Sequence, residues 1–270
     1  MKAFRIEPNE CSVCYCCQIV CKDEHCGNDW TPYAKPQPEW EHYWGKLNEY
    51  ERGDTPHVKV VAVFVPCQHC VNPPCKDECP VNAIVVRDDG LVWIDPKLCT
   101  GCQLCVSACP YDCIYYNAQF QIAQKCTGCA HLLDTNKPFG PRCADACAHH
   151  AIQFGEESEL DIAGGSTLPA YHGETPETRV HYINMPGMFV AGTVYDPSSN
   201  EIVEGATCTL TGSDGSTYTA TTDEFGDFWI ENLPEADGFS LQISGSGKSY
   251  SKSDISTISK SVGLGDVAVS

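Results

Sequence analysis

From about Met188 onward, apolar and polar positions alternate in short runs: MFVAGTVYD, GATCTLTG, STYTATTDE, FGDFWIENL, FSLQISGS and VGLGDVAVS. Each run is rich in β-formers and is broken from the next by Gly, Ser, Asn or Asp. Period-two alternation turns one face of every strand toward a core, and turn residues at regular intervals fold such strands back on each other. The pattern predicts a β-sandwich of about seven strands over residues 187–270. Residues 153–186, rich in Gly, Pro and acidic residues, read as a linker. The N-terminal 152 residues are patterned differently. AIVVRDDGLVWID reads as a hairpin turning at Asp89-Gly90, and IYYNAQFQIAQ takes the corresponding place one unit later. The longest apolar stretch, Val58 to Val65, is interrupted by Lys59 and falls far short of the roughly 20 residues of a spanning helix. The start, MKAFRIEPNECSVC, lacks an apolar h-region and a twin-arginine pair, so we expect no export signal, no membrane anchor and a cytoplasmic location.

Composition sharpens this picture. The chain has 270 residues, enough for two ordinary domains, and 20 of them are cysteine. Nineteen lie between Cys11 and Cys147, and only Cys208 falls in the β-patterned part. The net charge of −19, from 17 Lys and Arg against 36 Asp and Glu, argues against nucleic acid and anionic membranes as partners. In a reducing compartment, cysteine abundance points to metal ligation rather than disulfides.

The cysteines fall into four groups of four: Cys11, Cys14, Cys17 and Cys21; Cys67, Cys70, Cys75 and Cys79; Cys99, Cys102, Cys105 and Cys109; Cys126, Cys129, Cys143 and Cys147. The first and third groups have the Cys-x2-Cys-x2-Cys-x3-Cys run with which bacterial ferredoxins hold a [4Fe–4S] cubane, and Pro110 follows Cys109. Three cysteines at two-residue gaps wrap one cluster, and the fourth ligates the other cluster of a pair. Isoleucine recurs five residues after the last cysteine of three groups, as Ile84, Ile114 and Ile152, so one supersecondary unit is repeated. Zinc sites favour paired Cys-x2-Cys elements over a triplet followed by x3-Cys-Pro, and a disulfide scaffold fits the spacing less well. Cys16, Cys26, Cys113 and Cys208 lie outside the pattern and are expected as small buried hydrophobes. His25, His69, His149 and His150 sit beside cysteines and are expected as supporting or surface groups, because cubanes rarely take imidazole ligands.

ECSVCYCCQIVCKDEH, CQHCVNPPCKDECPVNAI, GLVWIDPKLCTGCQLCVSACPYD and KCTGCAHLL followed by RCADAC resemble the iron–sulfur electron-transfer subunits of the dimethyl-sulfoxide-reductase family of molybdenum enzymes. The resemblance covers residues 1 to about 186. It implies that groups one and four interleave, as do two and three: Cys11, Cys14, Cys17 with Cys147; Cys126, Cys129, Cys143 with Cys21; Cys67, Cys70, Cys75 with Cys109; Cys99, Cys102, Cys105 with Cys79. Cys147-Ala148 stands where the family often has Cys-Pro, and Cys16 is an extra thiol beside Cys17. The resemblance also implies a large partner carrying molybdenum on a bis-pterin, with the catalytic site there and none on this chain.

The expected fold class is α+β: a ferredoxin-like multi-cluster domain over 1–152, with an insert at 27–63, then the linker along the partner, then the all-β module. The insert DWTPYAKPQPEWEHYWGKLNEYERGDTP reads as a loop over the core, or as a partner-contacting surface through its Trp and Tyr residues. GTVYD and GATCTLTGSDGSTYTATTDEFGDFWIENLP resemble transthyretin-like or collagen-adhesin B-type modules, which share no chemistry. Residues 187–270 hold three Lys against twelve Asp and Glu, with no catalytic constellation. A ferredoxin fused to such a module is similar to the small subunits of molybdenum transhydroxylases. That implies a heterodimer moving a hydroxyl between polyhydroxybenzenes in an anaerobe. The alternative is the electron-wire subunit of a net-redox enzyme such as a sulfoxide, polysulfide or arsenate reductase.

Overall fold

The computed structural model describes residues 1–135 and 140–270. It divides into two compact units, one of Met1–Asn48 with Ala62–Met185 and one of Glu49–Val61 with Pro186–Ser270.

The first unit carries β1 (Lys2–Ile6), α1 (Cys16–His25), the inner ends of β2 (Lys46–Asp54) and β3 (His57–Val65), and then a series of very short elements. These are α2 (Pro74–Asp77), β4 (Ile84–Val86), β5 (Val92–Ile94), α3 (Leu104–Ser107), β6 (Tyr115–Asn117), β7 (Ile122–Gln124), α4 (Ala130–Leu133), α5 (Arg142–Asp145), β8 (Ile152–Glu156) and β9 (Val180–Tyr182). The two expected hairpins are present: β4 pairs with β5 around Gly90 at φ +91°, and β6 pairs with β7. β1 lies at the centre of a three-stranded sheet, antiparallel to β8 with Phe4 opposite Phe154, and parallel to β9 with Phe4 opposite Val180. Ala3, Phe4 and Ile6 are buried there. Residues 153–186 are therefore not a free linker: both edges of β1 need ladder partners, and QFGE and VHY supply them. The insert also departs from expectation, since its later part is a long hairpin, β2 with β3, and residues 49–61 of it belong to the second unit.

In the second unit, β10 (Met188–Asp196), β11 (Glu201–Ile202), β14 (Asp227–Leu233) and β17 (Val262–Ala268) form one sheet. β12 (Thr207–Thr211), β13 (Thr217–Thr221), β15 (Phe239–Gly245) and β16 (Lys248–Ile255) form the other. The alternation seen in the sequence sets the core: Cys208 and Leu210 of β12, Phe228 and Ile230 of β14, and Phe239, Leu241 and Ile243 of β15 all point inward. Burying each large apolar side chain contributes roughly 1.5–3 kcal/mol, enough for a module of this size to hold a core without metal. The hairpin tip is fastened within this unit. Arg52 donates to the carbonyls of Pro186 (3.1 Å) and Gly187 (2.7 Å), and His57 Nε2 lies 3.1 Å from Thr193 Oγ1, which donates to Asp227 at 2.5 Å.

Candidate functional site

The third and fourth cysteines of every group are four residues apart and bracket a helical turn: Cys17 and Cys21 on α1, Cys75 and Cys79 at α2, Cys105 and Cys109 at α3, Cys143 and Cys147 at α5. Four residues of helix advance about 6 Å on one face, so each turn presents two thiols at different heights and can hand one to each of two neighbouring sites. The loops before these turns use left-handed backbone. Val13 (φ 57°) and Gly101 (φ 70°) occupy equivalent positions, as do Tyr15 (60°) and Gln103 (64°). Three residues past the last cysteine, Asn82 (53°), Asp112 (51°) and His150 (53°) repeat the same device. Their N–H groups turn back to the carbonyls of Cys79, Cys109 and Cys147 at 3.3, 3.2 and 3.0 Å, and the backbone then enters a strand at Ile84, at Ile152 and one residue past Ile114.

The fold gathers the sixteen thiols into four sets. Cys11, Cys14, Cys17 and Cys147 line one pocket with Ile6, Phe64 and other apolar neighbours. Burial pushes the Cys17 thiol up to about 12, and Cys11, Cys147 and Cys14 add to the rise. In the second set, burial raises Cys21 and Cys143 well above the ordinary thiol value; Cys126 and Cys129 push both further, and Cys21 also acts on Cys143. Cys67, Cys70, Cys75 and Cys109 line a second pocket with Pro73, Pro74 and Ile114. Burial pushes Cys70 up to about 12, reinforced by Cys67 and Cys109. Cys105 rises to about 11 through burial, then through Cys99, Cys102 and Cys79. The second and third sets adjoin, because burial and then Cys67 raise Cys126 to about 11.

Backbone N–H groups are aimed at the sulfurs: His69 to Cys67 (3.4 Å), Ala83 to Cys79 (3.2 Å), Cys113 to Cys109 (3.4 Å), Ala123 to Cys99 (3.4 Å) and Gly128 to Cys126 (3.4 Å). Among the described residues no three His, Cys, Asp or Glu side chains converge tightly enough to hold one ion. Soft thiols around apolar cavities, with N–H donors pointed at sulfur, fit the chemistry of an iron–sulfur cluster.

The remaining cysteines divide. Cys113 and Cys208 are buried as expected, and hydrogen bonding from Cys113 pulls the Cys109 thiol down to about 6 against its burial. Cys16 is exposed and Cys26 half-buried, contrary to expectation, because Cys16 opens α1 where the loop faces outward. His149 and His150 are exposed, whereas His25 and His69 are buried against thiols. One residue of the site escaped the sequence reading: Lys125 is fully buried, with Nζ 3.1 Å from Cys67 Sγ and 3.1 Å from the Cys126 carbonyl, and a further bond to the Val92 carbonyl. The available signal was a lone lysine directly ahead of Cys126 at the end of a buried strand.

Comparison with known proteins bears on both halves. The 4Fe-4S dicluster domain family matches residues 58–157, and the carboxypeptidase regulatory-like domain family matches residues 190–268. The pyrogallol hydroxytransferase small subunit of Pelobacter acidigallici is 31% identical over 277 residues, covering 96% of each protein. A tetrathionate reductase subunit of Salmonella typhimurium is 35% identical over 156 residues, 57% of each protein. A polypeptide of the anaerobic dimethyl sulfoxide reductase of Escherichia coli is 32% identical over 178 residues, 64% of this sequence and 84% of that one. The protein belongs to the iron–sulfur subunits of the dimethyl-sulfoxide-reductase family of molybdenum enzymes.

Proposed function

We propose that this protein is the electron-transfer subunit of a heterodimeric molybdenum transhydroxylase that moves a hydroxyl between polyhydroxybenzenes such as pyrogallol and phloroglucinol, with catalysis on the large subunit. The observation that carries the reading is the extent of the match. Likeness to the pyrogallol hydroxytransferase small subunit runs through both units, including the β-module, whereas the two reductase polypeptides match 57% and 64% of this sequence.

Four [4Fe–4S] clusters would be held by the four sets: Cys11, Cys14, Cys17 and Cys147; Cys21, Cys126, Cys129 and Cys143; Cys67, Cys70, Cys75 and Cys109; Cys79, Cys99, Cys102 and Cys105. A cubane bound at such a set accepts and releases single electrons at a potential tuned by its surroundings. What this protein contributes is ligation, burial and hydrogen bonding. The partner would carry the molybdenum bis-pterin, and segment 153–186 would run along it. Among the described residues no helix is long and apolar enough to cross a membrane. We place the heterodimer in the cytoplasm. A second reading, the wire of a net-redox enzyme, is favoured by the 35% identity over 156 residues to the tetrathionate reductase subunit.

The test is anaerobic purification of the native complex. We expect a large partner containing molybdenum, iron and acid-labile sulfide approaching four cubanes per small subunit, and hydroxyl exchange between trihydroxybenzenes without an external electron donor. Turnover only with a reductant and a sulfoxide, tetrathionate or similar acceptor would select the second reading.

A further inference from the structure

The four thiol sets differ in burial and in what donates to them. Every thiol of the second set (Cys21, Cys126, Cys129, Cys143) is buried, as are Cys67, Cys75 and Cys109 of the third. The first and fourth sets each include an exposed thiol, Cys14 and Cys102. Among the described residues, the side-chain N–H groups within hydrogen-bonding reach of these sixteen sulfurs belong to His25, His69 and Lys125, and all three act on the two buried sets. His25 Nε2 lies 3.8 Å from Cys129 Sγ, His69 Nε2 3.8 Å from Cys126 Sγ, and Lys125 Nζ 3.1 Å from Cys67 Sγ.

The direction of these bonds follows from the ring partners. The Nδ1 of His69 accepts the Val92 N–H at 3.0 Å, so the single proton of the neutral ring sits on Nε2 and points at Cys126. His25 Nδ1 has no partner among the described residues, and the sulfur facing its Nε2 can only accept once it is a thiolate, which again places the proton on Nε2. Packing fixes both rings: His69 is stacked parallel to Phe4 at 6.0 Å, and His25 lies 4.6 Å from Trp44. Glu24, an acid that acts on Cys129, is engaged by His131 at 3.0 Å and Arg142 at 3.2 Å.

Reducing a thiolate-ligated cluster adds negative charge. Burial opposes that charge for the same reason that it raises the buried thiols, while N–H donors and a cation favour it. On burial alone the two interior sites would be the hardest to reduce. We propose that His25, His69 and Lys125 raise the reduction potentials of clusters held at the second and third sites, offsetting their burial so that the interior sites are not a barrier between the exposed ones. This rests on the reading above that each set ligates a cubane.

The experiment is potentiometric titration of the intact complex followed by EPR. His25→Leu and His69→Leu should move the signal of one cluster to lower potential, and Lys125→Met that of a second, with the other two unmoved. His69→Gln, which keeps a donor, should recover part of the shift. In the unaltered protein grown with 15N-histidine, pulsed EPR of the reduced state should show 15N coupling to one cluster. Unshifted potentials at full iron and sulfide content overturn the inference; if the variants lose iron, absence of 15N coupling in the unaltered protein overturns it. An unaltered complex whose iron and sulfide account for no interior cubanes would instead overturn the ligand assignment beneath it.

Discussion

Val13 holds a β-branched side chain at φ 57°, where Gly101 serves at the equivalent position one repeat later. Left-handed backbone costs a non-glycine residue of order 1–3 kcal/mol, so the loop from Cys11 to Cys17 is strained in a way that the loop from Cys99 to Cys105 is not. Val13→Gly should therefore stabilise the first unit by about 1 kcal/mol, the relief exceeding the added conformational entropy of glycine, as measured by the denaturant midpoint for loss of the cluster chromophore. The reciprocal change, Gly101→Val, has no such room: a Cβ there would stand 2.2 Å from the Gln121 carbonyl oxygen. It should lower iron content by one cluster, and full retention of iron would contradict this reading of the loop. At this scale the thiols were legible because their spacing is the chemistry. Lys125 was not, because nothing in a single lysine distinguishes a solvated ammonium from one enclosed by a thiol and two carbonyls.

Between residues and domains, the elements that sequence reveals are those whose pattern is local. The hairpin at Asp89-Gly90 and the alternating strands of the sandwich announce themselves through turn residues and period two. β2 does not: KLNEYERGD is polar, and apart from Leu47 it is half-buried or exposed, so it has no apolar face to betray a strand, and its pairing with β3 fixes it instead. The same hairpin explains why the boundary drawn from composition at residue 187 cuts off part of the second unit. Within that unit Thr193 joins His57 to Asp227, and Gly53 lies so close to Phe189 that a Cβ would stand 2.6 Å from its ring. Thr193→Val removes the shared hydroxyl and leaves the buried His57 Nε2 without its nearest partner, which should cost about 1–3 kcal/mol in the melting of the second unit. A fragment of residues 187–270 should fold with β-type circular dichroism but melt below the same unit in the full-length protein, since it lacks residues 49–61. Equal melting temperatures would show that the hairpin tip adds nothing to the module.

Across the molecule, the two units depend on different sources of stability. The second has a continuous apolar core running from Val190 to Val269. The first is assembled mostly from four-residue helices and strands of three to five residues, elements too short to hold themselves, around sixteen thiols, of which burial makes Cys17, Cys21 and Cys143 reluctant to ionise. Metal ligation reverses that reluctance, so cluster binding supplies folding free energy that the polypeptide of the first unit lacks. Removing iron from the complex with a chelator under mild oxidation should therefore abolish hydrogen-exchange protection in β1, α1 and the strands from β4 to β9. Peptides from β10 to β17, and from residues 49–61, should keep theirs. In calorimetry the same treatment should remove one transition and leave the other at its temperature. Protection lost at the same rate in peptides of both units would mean that the sandwich draws its stability from the clusters as well, and the composition boundary near Cys147 would then mark only where cysteine stops.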